Sequence, residues 1–194
     1  MGNAFKKIFG NKEARLLVLG LDNAGKTTII HALNGEEDFK SNPTLSFSVE
    51  TIEINRITLH IWDVGGQNKH RQLWRHYFMG TSALIFVIDS TDSERFDVAR
   101  EEFLKVVTDS TMQASIVLIL ANKCDCEGAA SEEELSQALL LSSSSGDILQ
   151  GRLWRIQRCS ARTGEGLEEG FRWVSDALAK PPSKRKDKQK KGNH

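Results

Sequence analysis

The sequence predicts an α/β fold: a mostly parallel six-stranded sheet with one antiparallel edge strand and helices on both faces. Short β-branched or apolar runs alternate with amphipathic stretches, the pattern of a parallel sheet covered on both sides. The pair Asn55-Arg56 joins two strand-like runs by a tight turn, which makes an antiparallel hairpin at the sheet's edge. A length of 194 residues suits one domain of ordinary size with short appendages better than two domains.

Strands are expected at Arg15 to Gly20, Phe47 to Ile54, Ile57 to Asp63, Ala83 to Asp89, Ile116 to Asn122 and Leu153 to Cys159. Helices are expected at Lys26 to Leu33, Lys69 to Met79, Ser93 to Thr108, Ser131 to Leu141 and Gly166 to Ala179. Ser93 suits an N-cap, and Phe96, Ala99, Phe103, Val106 and Val107 follow at the spacing of an apolar helical face, read as core packing. Ser142 to Ser145 is a low-complexity loop, and Pro181-Pro182 stops the last helix. In open α/β sheets ligands gather outside the carboxyl ends of the strands, so Gly20, Asp63 and Asn122 are expected to converge on one rim.

Apolar residues make up 39% and charged residues 27% of the chain, and no apolar run approaches the ~20 residues of a membrane-spanning helix. The first ten residues lack the apolar stretch and cleavage site of a secretory signal, so a cytoplasmic location is expected. Cys124, Cys126 and Cys159 form neither a disulfide framework nor zinc knuckles and read as reduced thiols. Net charge is zero but segregated. Residues 180–194 carry seven Lys or Arg against one Asp, leaving 19 basic against 25 acidic residues in the rest. That distribution describes a solvated tail on an acidic body, not a nucleic-acid-binding domain.

Gly20-Leu21-Asp22-Asn23-Ala24-Gly25-Lys26-Thr27 fits GxxxxGK[ST] between a strand and a helix, with Thr28 next. Glycines let backbone amides curl around a phosphate, and the helix N-terminus adds partial positive charge. Lys26 is expected to reach the β- and γ-phosphates and the Thr27 hydroxyl to ligate Mg²⁺. Further on, Trp62-Asp63-Val64-Gly65-Gly66-Gln67 places a carboxylate at a strand end, where a Mg²⁺-bound water needs an acceptor. Gly66 can bring its N–H to a γ-phosphate, and Gln67, with both an acceptor and a donor, can align an attacking water.

Asn122-Lys123-Cys124-Asp125 closes another buried strand. The Asp125 carboxylate can accept parallel hydrogen bonds from guanine's N1–H and exocyclic amine, a donor pair that adenine lacks. Cys159-Ser160-Ala161, at a later strand end, supplies a backbone contact to the guanine oxygen. As a tetrapeptide NKxD is common; its order after the other two motifs makes it specific.

These motifs resemble the small GTPase superfamily, and GLDNAGKTT at 20–28, Pro43-Thr44, FSVET at 47–51, WDVGGQ at 62–67 and LWRHYF at 73–78 narrow the resemblance to the ADP-ribosylation factor and Arf-like family. The resemblance spans roughly residues 1–179 and implies the P-loop GTPase fold and a domain at 13–179 preceded by an amphipathic segment at 1–12; the basic tail at 180–194 lies outside it and, with too few apolar residues to fold, is expected to be disordered. It implies a GTP/GDP switch that hydrolyses GTP slowly with Mg²⁺, Gln67 being catalytic, and recruits effectors in its GTP form in membrane or lipidated-cargo trafficking. A nucleotide-stabilised binding module without significant hydrolysis is the alternative.

By the same resemblance Thr44 joins Thr27 as a Mg²⁺ ligand. Phe47, Trp62 and Tyr77 form an exposed triad read by effectors, although by physics alone they could equally be core aromatics. The 47–63 hairpin slides by two residues on GTP binding, a slip that keeps every side chain on its face. An exchange factor, an activating protein and effectors act through the switch regions of a monomer. Ser46, His70 and Gln72 depart from the family pattern and bear on partner identity rather than nucleotide chemistry.

Phe5, Ile8 and Phe9 fall at helical spacing beside Lys6 and Lys7, so the first nine residues are expected to be able to lie flat on an anionic leaflet, and the resemblance implies reversible peripheral contact with the Golgi or another endomembrane. Myristoylation at Gly2 and an unmodified or acetylated N-terminus with its apolar face tucked against the body stand as open alternatives, because Lys6 occupies a position where the acylation pattern wants Ser or Thr.

Overall fold

A computed structural model describes residues 12–35, 47–54, 57–141, 148–149 and 151–180. Six strands, β1 (Lys12–Leu19), β2 (Phe47–Ile54), β3 (Ile57–Val64), β4 (Ala83–Asp89), β5 (Ile116–Asn122) and β6 (Trp154–Arg158), form one sheet in the order β2-β3-β1-β4-β5-β6. Only β2 runs antiparallel to its neighbour, from Phe47 opposite Val64 to Ile54 opposite Ile57. The remaining pairs are parallel, as expected.

The period of two along each strand explains the layers. Leu16 and Val18 of β1 enter one core with Ile85 and Val87, against α1 (Lys26–Leu33) and α5 (Leu167–Ala179). Leu17 and Leu19 enter the other with Leu84 and Phe86, against α3 (Phe96–Val107) and α4 (Glu132–Ala138). Because both faces are covered, β5 is buried along its whole length. Its unbroken apolar run is what a two-sided core requires. Among the described residues no helix is long and apolar enough to cross a membrane.

Three helices depart from expectation. The stretch Lys69 to Met79 is not one helix but α2 (Asn68–Arg71) followed by a 3-10 turn at Trp74–Tyr77. Its amides bond three residues back (Leu73 to His70, His76 to Leu73, Phe78 to Arg75), which winds the chain more tightly. This winding accompanies burial of the Trp74 indole, which donates to the Gly65 carbonyl at 3.0 Å. Ser93 does not cap α3: Ser93–Arg95 forms a 3-10 turn first, and Arg95 bonds outward to Asp92 and Asp22. The fourth helix ends early because Leu140 takes a positive φ of 58°, although Ser131 and Glu134 form a capping box at its start.

The 55–56 turn, the serine loop, Pro43-Thr44, the N-terminal segment and the tail lie outside the described residues. Phe103 is buried and meets Phe86 edge-on at 5.1 Å, so Phe103→Ala should cost about 3–5 kcal/mol of stability. Urea unfolding in excess GDP and Mg²⁺ would measure this as a lower midpoint at unchanged slope.

Candidate guanine-nucleotide site

Loops at the carboxyl ends of β1, β3, β5 and β6 enclose a cavity of about 810 Å³. Asp22, Asn23, Gly25, Lys26, Thr27 and Thr28 line one side, Gly66 and Gln67 a second, and Asn122, Lys123, Asp125, Ser160 and Ala161 a third. Gly20, Leu21 and Ala24 lie buried beneath and take part through their carbonyls. Thr44 is outside the described residues. Cys126 and Arg162 also line the cavity; no motif signalled either of them.

At the phosphate end Lys26 is 7% exposed and donates to the carbonyls of Gly20 (3.0 Å) and Leu21 (2.9 Å). Burial lowers its pKa from 10.5 to about 8, against the pull of Asp63 and Asp22. The Thr27 hydroxyl donates to Asp63 Oδ2 at 2.5 Å, so a hydroxyl and a carboxylate meet where α1 begins. This hard oxygen pair fits Mg²⁺, which takes few protein ligands and fills its octahedron with phosphate and water oxygens. Gly66 approaches so closely that a Cβ on it would lie 2.4 Å from the Gly20 oxygen and 2.5 Å from Lys26 Nζ. The DxxGQ loop therefore closes directly on the P-loop.

Bracing comes from residues that sequence reasoning assigned elsewhere or overlooked. Asp22 is held by Arg71 and Arg95, each at 3.3 Å, which ties the P-loop to α2 and to the approach to α3. Buried Asn122 donates to the Ala24 carbonyl at 2.8 Å and accepts from the Ala161 amide at 2.9 Å. Ala161 belongs to the Cys159-Ser160-Ala161 stretch expected to offer a backbone contact to the guanine oxygen. Here its amide serves the buried Asn122 oxygen, which needs a donor. A Cβ on Gly25, whose φ is 95°, would lie 2.2 Å from Asn122 Nδ2, so this crossing admits only glycine. An apolar-strand reading cannot see such bonds, which span 98 residues for Asn122 to Ala24.

At the base end Lys123 has a positive φ of 67° and its ammonium meets Asp89 at 2.5 Å. Burial works to raise the Asp89 pKa, but hydrogen bonds from Lys123 and Thr91 outweigh it and hold the carboxyl below its usual range. Asp125 is also lowered, chiefly by the Ser160 hydroxyl, with Arg162 adding a contact at 3.5 Å. Its carboxylate is thus ionised at neutral pH, as an acceptor of paired N–H donors must be.

Phe47 of β2, Trp62 of β3 and Tyr77 of the 3-10 turn form a cluster, with Phe47 stacked on Trp62 at 5.4 Å and Tyr77 tilted against both. Phe47 is 46% exposed, while Trp62 and Tyr77 are half-buried and pack against the core, so the group stands at the core's edge with Phe47 outermost. Arg15 packs under it, 4.1 Å from the Trp62 ring, and donates to the Tyr77 carbonyl.

A mostly parallel sheet with a P-loop, a DxxGQ loop packed upon it and an NKxD carboxylate across one cavity defines a P-loop GTPase. A sequence model of the ADP-ribosylation factor family matches residues 1–178. ADP-ribosylation factor 3 of Arabidopsis thaliana and ADP-ribosylation factor 1 of Brassica rapa subsp. pekinensis are each 45% identical over 174 residues, 90% of this chain and 93% of theirs. The Arl6 BBS3 small GTPase from Trypanosoma brucei, solved with the nucleotide analogue GppNp, is 31% identical with a TM-score of 0.77, covering 87% of this chain and 98% of that one. The chain belongs to the ADP-ribosylation factor family and is a GTP-binding switch and GTPase that uses Mg²⁺.

The lowered Lys26 pKa gives stability a pH signature in the nucleotide-free protein. Below about pH 8 both folded and unfolded chains hold this proton; between about 8 and 10.5 the unfolded chain alone holds it. The unfolded state then binds more protons, so this group makes stability rise with pH across that window and level off above it. Urea titrations from pH 7.5 to about 10.5 should show the rise in wild type, and Lys26→Met should lack it.

Proposed function

We propose that the cavity residues divide the work of a slow switch as follows. Lys26 and the Gly66 amide hold the terminal phosphates, the Thr27 and Thr44 hydroxyls hold Mg²⁺, and Asp125 reads guanine. Bound Mg²⁺ supplies neutralisation of charge on the phosphate oxygens. Gln67 accepts a hydrogen bond from the attacking water and orients it in line with the γ-phosphate. The observation that carries this assignment is the ionised Asp125 carboxylate standing in the same cavity as Lys26 and the Thr27–Asp63 pair. One ligand with a base at one end and phosphates at the other satisfies both ends.

Residues 13–179 act as the GTPase domain, with 1–12 and 180–194 as appendages. The partly exposed aromatic group at Phe47, Trp62 and Tyr77 is the effector surface, and its neighbours in the DxxGQ loop make its shape depend on the nucleotide. Exchange factor and activating protein work on the same switch regions of a monomer. Peripheral attachment to an endomembrane, in membrane or lipidated-cargo trafficking, fits the family and the amphipathic, basic N-terminus.

Asp125→Asn replaces a charged acceptor pair with a mixed donor and acceptor, so GTP affinity should fall about 10- to 100-fold while xanthosine triphosphate affinity rises. Competition binding with the two triphosphates measures the exchange of preference, and unchanged preference would refute the base assignment. Residues 39–43, just before Thr44, contain no arginine to act in cis, so intrinsic turnover should be slow and stimulated by an activator. Gln67→Leu should cut activator-stimulated hydrolysis by about 10²-fold or more, read as phosphate release at saturating activator.

A further inference from the structure

The DxxGQ loop contains the most freely rotating dipeptide a chain can have, Gly65-Gly66, at the point where it faces the phosphates. Left to itself the peptide between these residues can flip, turning a carbonyl oxygen instead of an N–H toward the cavity. Two bonds from the following segment prevent this. Trp74, 2% exposed and part of the core layer that holds Leu17, Phe86 and Phe103, donates its indole N–H to the Gly65 carbonyl at 3.0 Å. Arg71 donates Nε–H to the Gly66 carbonyl at 2.9 Å, and its Nη2 is anchored 3.3 Å from Asp22 of the P-loop.

We infer that Trp74 and Arg71 are positioning residues for the triphosphate, fixing two successive peptide planes so that the Gly66 amide faces the cavity and Gln67 is held beside it. In a trans peptide the C=O and N–H point in opposite directions, and the described residues contain no cis peptide. With the Gly65 carbonyl drawn back toward the core by Trp74, the Gly66 N–H points away from the core, toward the cavity that Gly66 lines beside Lys26. With the Gly66 carbonyl held by Arg71, the next plane and the start of Gln67 are fixed too.

The indole is the stiffer clamp. It sits in an apolar core, and a buried N–H stripped of its acceptor is costly, so flipping the glycine peptide carries that penalty. Arg71 adds the link to the P-loop. Asp22, pinned again by Arg95, makes the phosphate loop and the DxxGQ loop share one frame.

The inference rests on the assignment of the Gly66 amide to the terminal phosphate, and it makes a selective prediction, because a diphosphate does not reach that amide. Trp74→Phe keeps an aromatic ring in the core, removes the N–H donor and leaves a smaller ring, a packing loss that the GDP complex also registers. Its Kd for GppNp should rise about five- to tenfold, the loss of roughly one net hydrogen bond, while its Kd for GDP changes less than about twofold. Arg71→Lys keeps a cation near Asp22 but loses the fork that reaches Gly66, and should show the same selectivity at about two- to fivefold. Both are measured by titration with fluorescent GppNp and GDP in Mg²⁺, with thermal unfolding of each GDP complex alongside.

A purely structural role would weaken both nucleotides together, so equal losses, or none, in these variants overturn the inference and leave the GTPase assignment intact. If Trp74→Phe does not yield folded protein, Arg71→Lys decides on the same ratio. Failure of the wild type to bind either guanine nucleotide would overturn the site assignment itself, and this inference with it.

Discussion

The site depends on one register. Parallel pairing of β1 with β3 sets Val18 opposite Asp63, and that alignment brings the Asp63 carboxylate to the Thr27 hydroxyl at the start of α1. The P-loop leaves one strand and the DxxGQ loop the other, so a slip of one residue would turn Asp63 to the opposite face and separate the pair. A slip of two residues would keep its face but move it along the sheet by about 7 Å, which would also draw Gly66 away from Gly20. Side-chain chemistry at the phosphate end is therefore coupled to a hydrogen-bond ladder, and the hairpin carrying Phe47 and Trp62 is the piece that ladder positions.

Around that register the loops are held by polar bonds as well as by the few apolar residues they bury, such as Leu21 and Ala24. Loops at strand ends cannot bury much hydrocarbon, and their backbone groups still need partners. Lys26 satisfies two P-loop carbonyls and Asn122 a third, while Arg71 and Arg95 brace Asp22. Most of these groups also line the cavity. The same charges that shape the loops thus confront the ligand, and buried Lys26, with its pKa drawn down to about 8, shows the strain of holding a cation there. A phosphate is the natural counter-charge for that ammonium, and binding strength and loop order are aspects of one interaction.

The core tells a simpler story. Strands β4 and β5 are buried nearly throughout, and alternate residues feed opposite layers. Such continuous runs are a strong signal because a polar residue has no face on which to sit. The exceptions lie where local winding answers to distant groups. The segment after Gln67 has helical spacing, yet its path follows the Trp74 bond to Gly65 and the Arg71 bond to Gly66. The start of α3 similarly follows Arg95 toward Asp92 and Asp22.

The sheet and the chemistry of its rim are legible along the chain, because both are written in local patterns. Apolar runs such as Ile116–Asn122 report burial, and the P-loop, DxxGQ and NKxD motifs report backbone shapes and donor types needed within a few residues of one another. Which groups of those motifs bond to one another follows from the fold and not from the motifs. Ala161 gives its amide to Asn122, Asp22 gives its carboxylate to two arginines, and Trp74 turns from a position on a supposed helix into the clamp on Gly65. The reason is physical: a hydrogen bond is short and directional, so its partner is fixed by where distant strands end in space. The spacing of residues along the chain does not record it.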